Sequence, residues 1–361
     1  MRPPLGPAFS TQLLRWFDAH QRALPWRGAP SPYAVWVSEV MLQQTRVESA
    51  RHYYERFMQR FPDVAALAQA DEQDVLQHWA GLGYYARARN LHRAAQIVSR
   101  EHSGEIPDDP TRFASLPGCG PYITAAVQSI AFGAPLAAVD GNVKRVLARL
   151  DADPFPVNHT RAHRHYLPRA QALLSPHRPG DHNQAMMELG ALICTPRNPD
   201  CPHCPVAAFC TARAQDTAHR LPVREKKQRA PLRHFVSVIL VHRRRYLLFQ
   251  RPAKGLLGGL WEFPSAERTA QETAQEACAR YVHALTGHPG AAPQHATQLQ
   301  HAYTHFRLHI DVYYCPVPSR ALQAPTQLPH RWLPLDDVAD FPLSSVNQKI
   351  LRWAQQHNAR P

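Results

Sequence analysis

Cys194-Thr-Pro-Arg-Asn-Pro-Asp-Cys201-Pro-His-Cys204-Pro-Val-Ala-Ala-Phe-Cys210 gathers four of the chain's seven cysteines into one run, with six, two and five residues between them. Thiolates this close either hold a metal centre or crosslink. Prolines and short loops let such a run wrap four sulfurs around a compact object. Structural zinc usually takes two close cysteine pairs, or a cysteine pair with a histidine pair. Only one close pair exists here, and the outer cysteines stand off unequally, so all-thiolate ligation of an iron–sulfur cluster fits the spacing better. Zinc, with His203 as a possible ligand inside the run, and paired disulfides are the alternatives.

Cys119, Cys278 and Cys315 are isolated, a sparse usage that fits a reducing compartment. The first residues do not read as a signal peptide. The longest apolar stretch, Ile123 to Val139, is broken by Gln128, Gly133 and Pro135, which argues against a membrane span. The expected setting is cytoplasmic, on the nucleoid when bound. The 361 residues suffice for two domains, and a formal charge of +13 favours a polyanionic partner. Nearly all the positive charge is arginine; the lysines are Lys144, Lys226, Lys227, Lys254 and Lys349. The 22 histidines are scattered through arginine-rich or loop contexts and read as surface residues.

Up to about residue 215 apolar residues recur every three to four positions, which predicts helices. They fall at Phe9–His20, Tyr33–Val47, Ala50–Arg60, Asp71–Trp79, Tyr85–Arg100, Pro110–Leu116, Ile123–Phe132, Asn142–Leu150 and Asn183–Cys194. Asp71, Asp109 and Asp140 signal helix starts. The composition then turns charged and turn-forming around Arg224-Glu-Lys-Lys-Gln-Arg229, a solvated tether. Beyond it, Phe235–Val241 and Tyr246–Gln250 read as a hairpin about Arg243–Arg245, Thr273–Leu285 as a helix and Phe306–Cys315 as a strand. The expected organisation is a mostly α domain over 1–213 with its cysteine loop at 194–210, a linker over 214–232, and an α+β domain over 233–361.

Leu116-Pro-Gly-Cys-Gly-Pro-Tyr122 lies between two helices, and Gly118 and Gly120 let the backbone turn with its N–H groups outward at the next helix start. That is either a phosphate cradle or an ordinary helix–helix turn. Farther on, in Val139-Asp-Gly-Asn-Val-Lys-Arg145, Asp140 opens a helix whose N-terminal N–H groups favour an ionised carboxylate. Glu39 sits among Val37, Val40, Met41 and Leu42, where desolvation favours its acid form. One protonated and one ionised carboxyl are what cleavage of a glycosidic bond needs. Taken singly, Asp140 reads as an N-cap and Glu39 as a solvated helix residue.

Trp36-Val-Ser-Glu-Val-Met-Leu-Gln-Gln-Thr45, Gly81-Leu-Gly-Tyr-Tyr85, Leu116-Pro-Gly-Cys-Gly120, Val139-Asp-Gly-Asn-Val143 and the cysteine quartet follow the order seen in MutY. The chain thus resembles the adenine DNA glycosylases of the helix–hairpin–helix, iron–sulfur superfamily. The resemblance implies a [4Fe–4S] cluster on Cys194, Cys201, Cys204 and Cys210, and excision of adenine opposite 8-oxoguanine or guanine in double-stranded DNA. It makes Glu39 the general acid and Asp140 the stabiliser of the cationic sugar, with Tyr122 and Asn142 in support. Trp26, Arg27 and Gln184 match positions around the extruded adenine. Gln44 and Tyr84 match side chains that enter the base stack, with Thr45 and Leu82 beside them in the DNA contact and Gly118 and Gly120 on phosphate. Related endonuclease III enzymes carry a strand-cutting lysine at position 122, so Tyr122 implies a monofunctional enzyme.

The C-terminal third resembles a Nudix fold through Gly255-Leu-Leu-Gly-Gly-Leu-Trp-Glu-Phe-Pro264, yet Glu272-Thr-Ala-Gln-Glu-Ala-Cys-Ala-Arg280 lacks the paired glutamates that bind magnesium. Pyrophosphatase activity is therefore not expected. By the resemblance Tyr303, Thr304 and His305 read 8-oxoguanine. A monomer is expected, with the linker a possible contact for another repair protein. Two competing readings are an endonuclease III-like lyase and a non-catalytic iron–sulfur DNA-binding protein.

Overall fold

The computed structural model describes residues 7–28, 30–226, 230–287, 292–303, 305–322 and 328–357. They form two units, Met1–Gln69 with Asn90–Lys227, and Ala70–Arg89 with Gln228–Pro361. The helices are α1 (Pro7–His20), α2 (Pro32–Leu42), α3 (Val47–Arg60), α4 (Val64–Gln69), α5 (Glu72–Trp79), α6 (Ala86–Glu101), α7 (Pro110–Ala114), α8 (Pro121–Phe132), α9 (Gly141–Leu150), α10 (Ala162–Leu173), α11 (Pro179–Leu192), α12 (Thr211–Ala214), α13 (Ala274–Thr286) and α14 (Ser345–His357).

In the first unit the caps read from sequence form as expected. Asp109 accepts from Arg112 N–H at 2.8 Å and Asp140 from Val143 N–H at 2.7 Å. One core joins Phe9, Leu13 and Phe17 of α1 to Val143, Val146 and Leu147 of α9, Tyr166 and Leu173 of α10, and Met186 and Leu189 of α11. Helix α2 is buried from Tyr33 to Met41. Apolar on every side, it is a core helix rather than an amphipathic one. Expected to run to Val47, it stops at Leu42, because the backbone leaves helical space and Gln44 takes φ 58°. Helices α4 and α10 were not expected from the sequence.

Chain beyond α12 stays packed for part of the supposed tether. Ala218 and Leu221 are buried against Ala212, and their carbonyls accept from Arg149 Nε at 3.0 and 2.9 Å. The apolar residues before the charge run explain this: they cover a buried guanidinium that needs acceptors.

The second unit is built on strands β1 (Leu232–His242), β2 (Arg245–Gln250), β3 (Trp261–Glu262), β4 (Ser265–Glu267), β5 (Gln294–Ala302), β6 (Arg307–Pro316) and β7 (His330–Pro334). Their main path is β3-β2-β1-β6-β5, with β4 on β1 and β7 on β2. β1 runs parallel to β6 and antiparallel to β2 and β4. The strand period divides β1 between two cores: Val236, Val238 and Leu240 face Ala277, Val282 and Leu285 of α13, while Ile239 and Val241 face Val346, Ile350 and Leu351 of α14. Helix α5 belongs to this unit, where Gln73 Oε1 accepts from Trp261 Nε1 at 3.1 Å and Gln77 Nε2 donates to the Ala339 carbonyl at 2.8 Å. No helix among the described residues is long and apolar enough to cross a membrane.

Candidate active site

Three elements of the first unit bring Glu39, Tyr122 and Asp140 together. Glu39 lies near the C-terminal end of α2 and is 6% exposed. Tyr122 opens α8 directly after the glycine turn; its hydroxyl donates to Glu39 Oε2 at 2.7 Å and also meets Met187 Sδ of α11 at 3.6 Å. Burial pushes the Tyr122 phenol well above its ordinary range, and the charges of Glu39 and Asp140 push it further, so it remains a donor. Burial likewise pushes Glu39 up to about 7, and the charge of Asp140 adds to this; the Tyr122 bond and the charge of Arg27 oppose it.

Asp140 caps α9 and also accepts from Asn142 Nδ2 at 2.8 Å. Burial raises its carboxyl too, against the expectation from the cap alone. The Val143 N–H, Asn142 and Arg145 hold that rise down. The two acids thus act on each other but differ in partners: Glu39 has one hydroxyl and the charge of Arg27, Asp140 has two hydrogen-bond donors and the charge of Arg145. On that asymmetry the first proton goes to Glu39.

Sequence reading missed the residues that aim these two. Asn183 of α11 accepts from Ala138 N–H at 3.0 Å and donates to the Leu136 carbonyl at 2.8 Å, fixing the chain that leads into Asp140. Arg145 is 8% exposed; it bonds Asn142 Oδ1 at 2.8 Å, the Gly190 carbonyl at 2.6 Å and the Cys194 carbonyl at 2.8 Å. Gly190 permits this approach, since a Cβ there would lie 2.6 Å from Asn142 Cβ. A buried guanidinium therefore spans Asp140's partner and the first cysteine of the loop. Partners nearly fifty residues apart leave no local pattern to read.

Of the expected base-pocket residues, Trp26 is buried edge-on against Tyr54 at 5.1 Å between ring centroids. Arg27 packs over Phe17 at 5.4 Å and acts electrostatically on Glu39. Gln184 is half-buried on α11, one turn before the buried Glu188, which both Arg22 and Arg27 grip.

The residues expected at DNA divide by exposure. Gln44 (φ 58°) and Tyr84 (φ 50°) take left-handed backbone, and both are exposed, Tyr84 by 46%. Tyr84's ring rests on the guanidinium of Arg87, which also lies over Trp79. Thr45, three residues past α2, is half-buried, whereas Leu82 is buried. In the turn before α8, Gly118 and Gly120 are exposed around a buried Cys119. Gly118 has φ 83°, and a Cβ there would meet Asn90 Cβ at 2.9 Å. In the second unit Tyr303 packs against His301 and Phe306, its N–H donates to the Phe306 carbonyl at 2.9 Å, and His305 is exposed. Thr304 lies outside the described residues.

Cys194, Cys201, Cys204 and Cys210 line one cavity together with Arg149 and Arg213. Among the described residues no three His, Cys, Asp or Glu side chains converge as on a single ion. Four cysteines on one cavity, whose lining holds no histidine, suit all-thiolate ligation of an iron–sulfur cluster. Arg149, 2% exposed, donates to Cys194 Sγ at 3.2 Å and so offsets thiolate charge. His203 is turned to Asp200 at 2.9 Å and is not part of the lining.

A helical hairpin of α7 and α8, the acid pair Glu39 and Asp140 and a four-cysteine loop define a base-excision glycosylase with an iron–sulfur centre. The chain matches the HhH-GPD superfamily base excision DNA repair protein family over residues 37–161, the iron–sulfur binding domain of endonuclease III over 194–210 and the NUDIX domain over 235–353. A thermostable thymine-DNA glycosylase structure superposes with TM-score 0.53 at 26% identity, covering 58% of this chain and 96% of that one. The adenine DNA glycosylase of Rattus norvegicus is 34% identical over 97% of this chain and 78% of its own length. That of Homo sapiens is 35% identical over 96% and 74%. The chain belongs to the adenine DNA glycosylase family. Residues 194–210 are its iron–sulfur binding loop.

Proposed function

We propose that the protein excises adenine paired with 8-oxoguanine, or with guanine, from double-stranded DNA, acting as a monomer and leaving the strand uncut. The bond from Tyr122 to Glu39, together with Asp140 as the N-cap of α9, carries this reading. With Oε2 engaged by Tyr122, Glu39 Oε1 presents its proton to a ring nitrogen of the flipped adenine. Protonation lets the base leave with the glycosidic electron pair, and the ionised Asp140 stabilises the oxocarbenium-like sugar. Water then adds to that sugar, and its proton returns to Glu39. Asn142 holds Asp140, while Trp26, Arg27 and Gln184 enclose the base. Gln44 and Tyr84 offset the cost of unstacking, Thr45 and Leu82 also take part in the DNA contact, and the Gly118 and Gly120 turn holds phosphate.

Tyr303 and His305, with Thr304 between them, read the oxidised base. The four cysteines would hold a [4Fe–4S] cluster, which when bound crosslinks the 194–210 loop and sets the exposed Arg197 and Arg213 toward phosphate. The exposed part of the 214–232 segment, beyond the packed Ala218 and Leu221, is the place for a repair-protein contact, and the setting is the cytoplasm, on the nucleoid in a bacterium. Tyr122 offers a phenol where a lyase offers an amine. The nearest lysine in sequence is Lys144 on α9, whose amine burial lowers.

Release of adenine from duplexes with 8-oxoguanine or guanine opposite tests the reading. Glu39→Gln should slow release about 10²–10⁴-fold with DNA binding retained. Wild-type turnover in that variant, or high-yield borohydride trapping of a covalent DNA adduct by the wild-type enzyme, would contradict it.

A further inference from the structure

Glu188 on α11 is the most heavily engaged carboxylate near the site. It is 1% exposed, yet it accepts from Arg22 N–H at 3.0 Å, Arg22 Nε at 2.9 Å and Nη2 at 2.8 Å, and from Arg27 Nη1 at 3.1 Å and Nη2 at 3.0 Å. Buried charges are tolerated only when paired and hydrogen-bonded, and five donors from two guanidinium residues meet that demand here. Both arginines lie in the irregular stretch between α1 and α2, which has no ladder of its own to hold it. That stretch also bears Trp26. Glu188 is four residues beyond Gln184 on α11, so one carboxylate ties the loop bearing Trp26 to the helix bearing Gln184.

We propose that Glu188 is a positioning residue for adenine excision: its carboxylate locks the loop bearing Trp26 and Arg27 onto α11 and cancels the guanidinium charge beside Glu39. The inference rests on Glu39 as proton donor. Tyr122 from α8, Asp140 from the start of α9 and Arg27 from the loop act on Glu39. Of these only Arg27 is a cation, and Glu188 is its counter-ion. Without Glu188 that positive charge stands unopposed and favours the ionised form of Glu39, which cannot donate. Without Arg22, Glu188 keeps a single cation, and the local balance shifts toward negative.

Single-turnover adenine release, followed against pH with the full chain and its cluster, decides the matter. In Glu188→Gln, nearly isosteric but neutral, the alkaline fall in rate should move to lower pH by about one unit. At pH 8 that is about a tenfold loss. In Arg22→Gln the fall should move the opposite way, by a smaller amount. Lower amplitude with the fall unmoved in both variants would reduce Glu188 to a structural role and overturn the proposal. Should Glu188→Gln not fold, Arg22→Gln decides alone: an upward shift supports the proposal and no shift overturns it. Glu39→Gln run in parallel separates the two levels. If it is inactive while the fall is unmoved, only the role of Glu188 fails; if it retains turnover, the donor assignment fails and this inference with it.

Discussion

The two units use carboxylates in opposite ways. In the first unit Glu39 is buried with one hydroxyl partner, and its acid form persists to about pH 7. In the second, the stretch that corresponds to the Nudix magnesium helix lacks the paired glutamates, and the two glutamates it does carry serve the fold. Glu272 is held by Arg280 and Thr269, which pull it down to about 2. Glu276 closes a capping box with Thr273 at the start of α13. A carboxyl becomes an acid catalyst where water is excluded and donors are few; where donors saturate it at the surface, it becomes a cap. The second unit matches the NUDIX domain, but the two glutamates left in this stretch are engaged by its own side chains and backbone.

The sharpest way to break this contrast is to neutralise Asp140. Asn is a good N-cap, so Asp140→Asn should preserve α9 while adenine release falls about 10³-fold or more. Near-normal release would mean that the anion is not needed. A smaller effect should come from Gly190→Ala, whose Cβ would collide with Asn142 and tilt Asp140's partner. Release should drop about 10–100-fold, with kcat rather than KM carrying the loss. An unchanged kcat would show that the Asn142 contact is dispensable. The smallest change is expected from Glu272→Gln combined with Glu276→Gln. Excision should stay within about twofold of wild type, and nucleoside triphosphate hydrolysis should be undetectable before and after. Magnesium-dependent hydrolysis abolished by the double change would overturn the structural role of these glutamates.

Much of this was legible in the chain. Asp71, Asp109 and Asp140 announced helix starts because capping needs only a local acceptor, and each accepts a nearby backbone N–H. The hairpin at Arg243–Arg245 was legible from its flanking apolar runs, although Arg243 and Arg244 take φ 47° and 61° without glycine. Helix α10 was hidden by Pro168 and polar neighbours, and β5 by a largely exposed, polar face. Helix α14 went unread even though Val346, Ile350, Leu351 and Ala354 trace one face. The acids themselves, read singly as a solvated helix residue and an N-cap, were named through the resemblance to MutY. Their supports were not: Arg145, Asn183 and Glu188 are charged or polar residues made useful by partners far along the chain, and single-residue patterns assign such residues to the surface.

Glu39 holds its proton near neutrality because the fold buries it. Infrared difference spectra of wild type minus Glu39→Gln, recorded across pH, measure that proton directly. A protonated-carboxyl band that persists to about pH 7 and is absent from the variant is the predicted result. A Glu39 band already converted to carboxylate in the ordinary glutamate range would contradict the account.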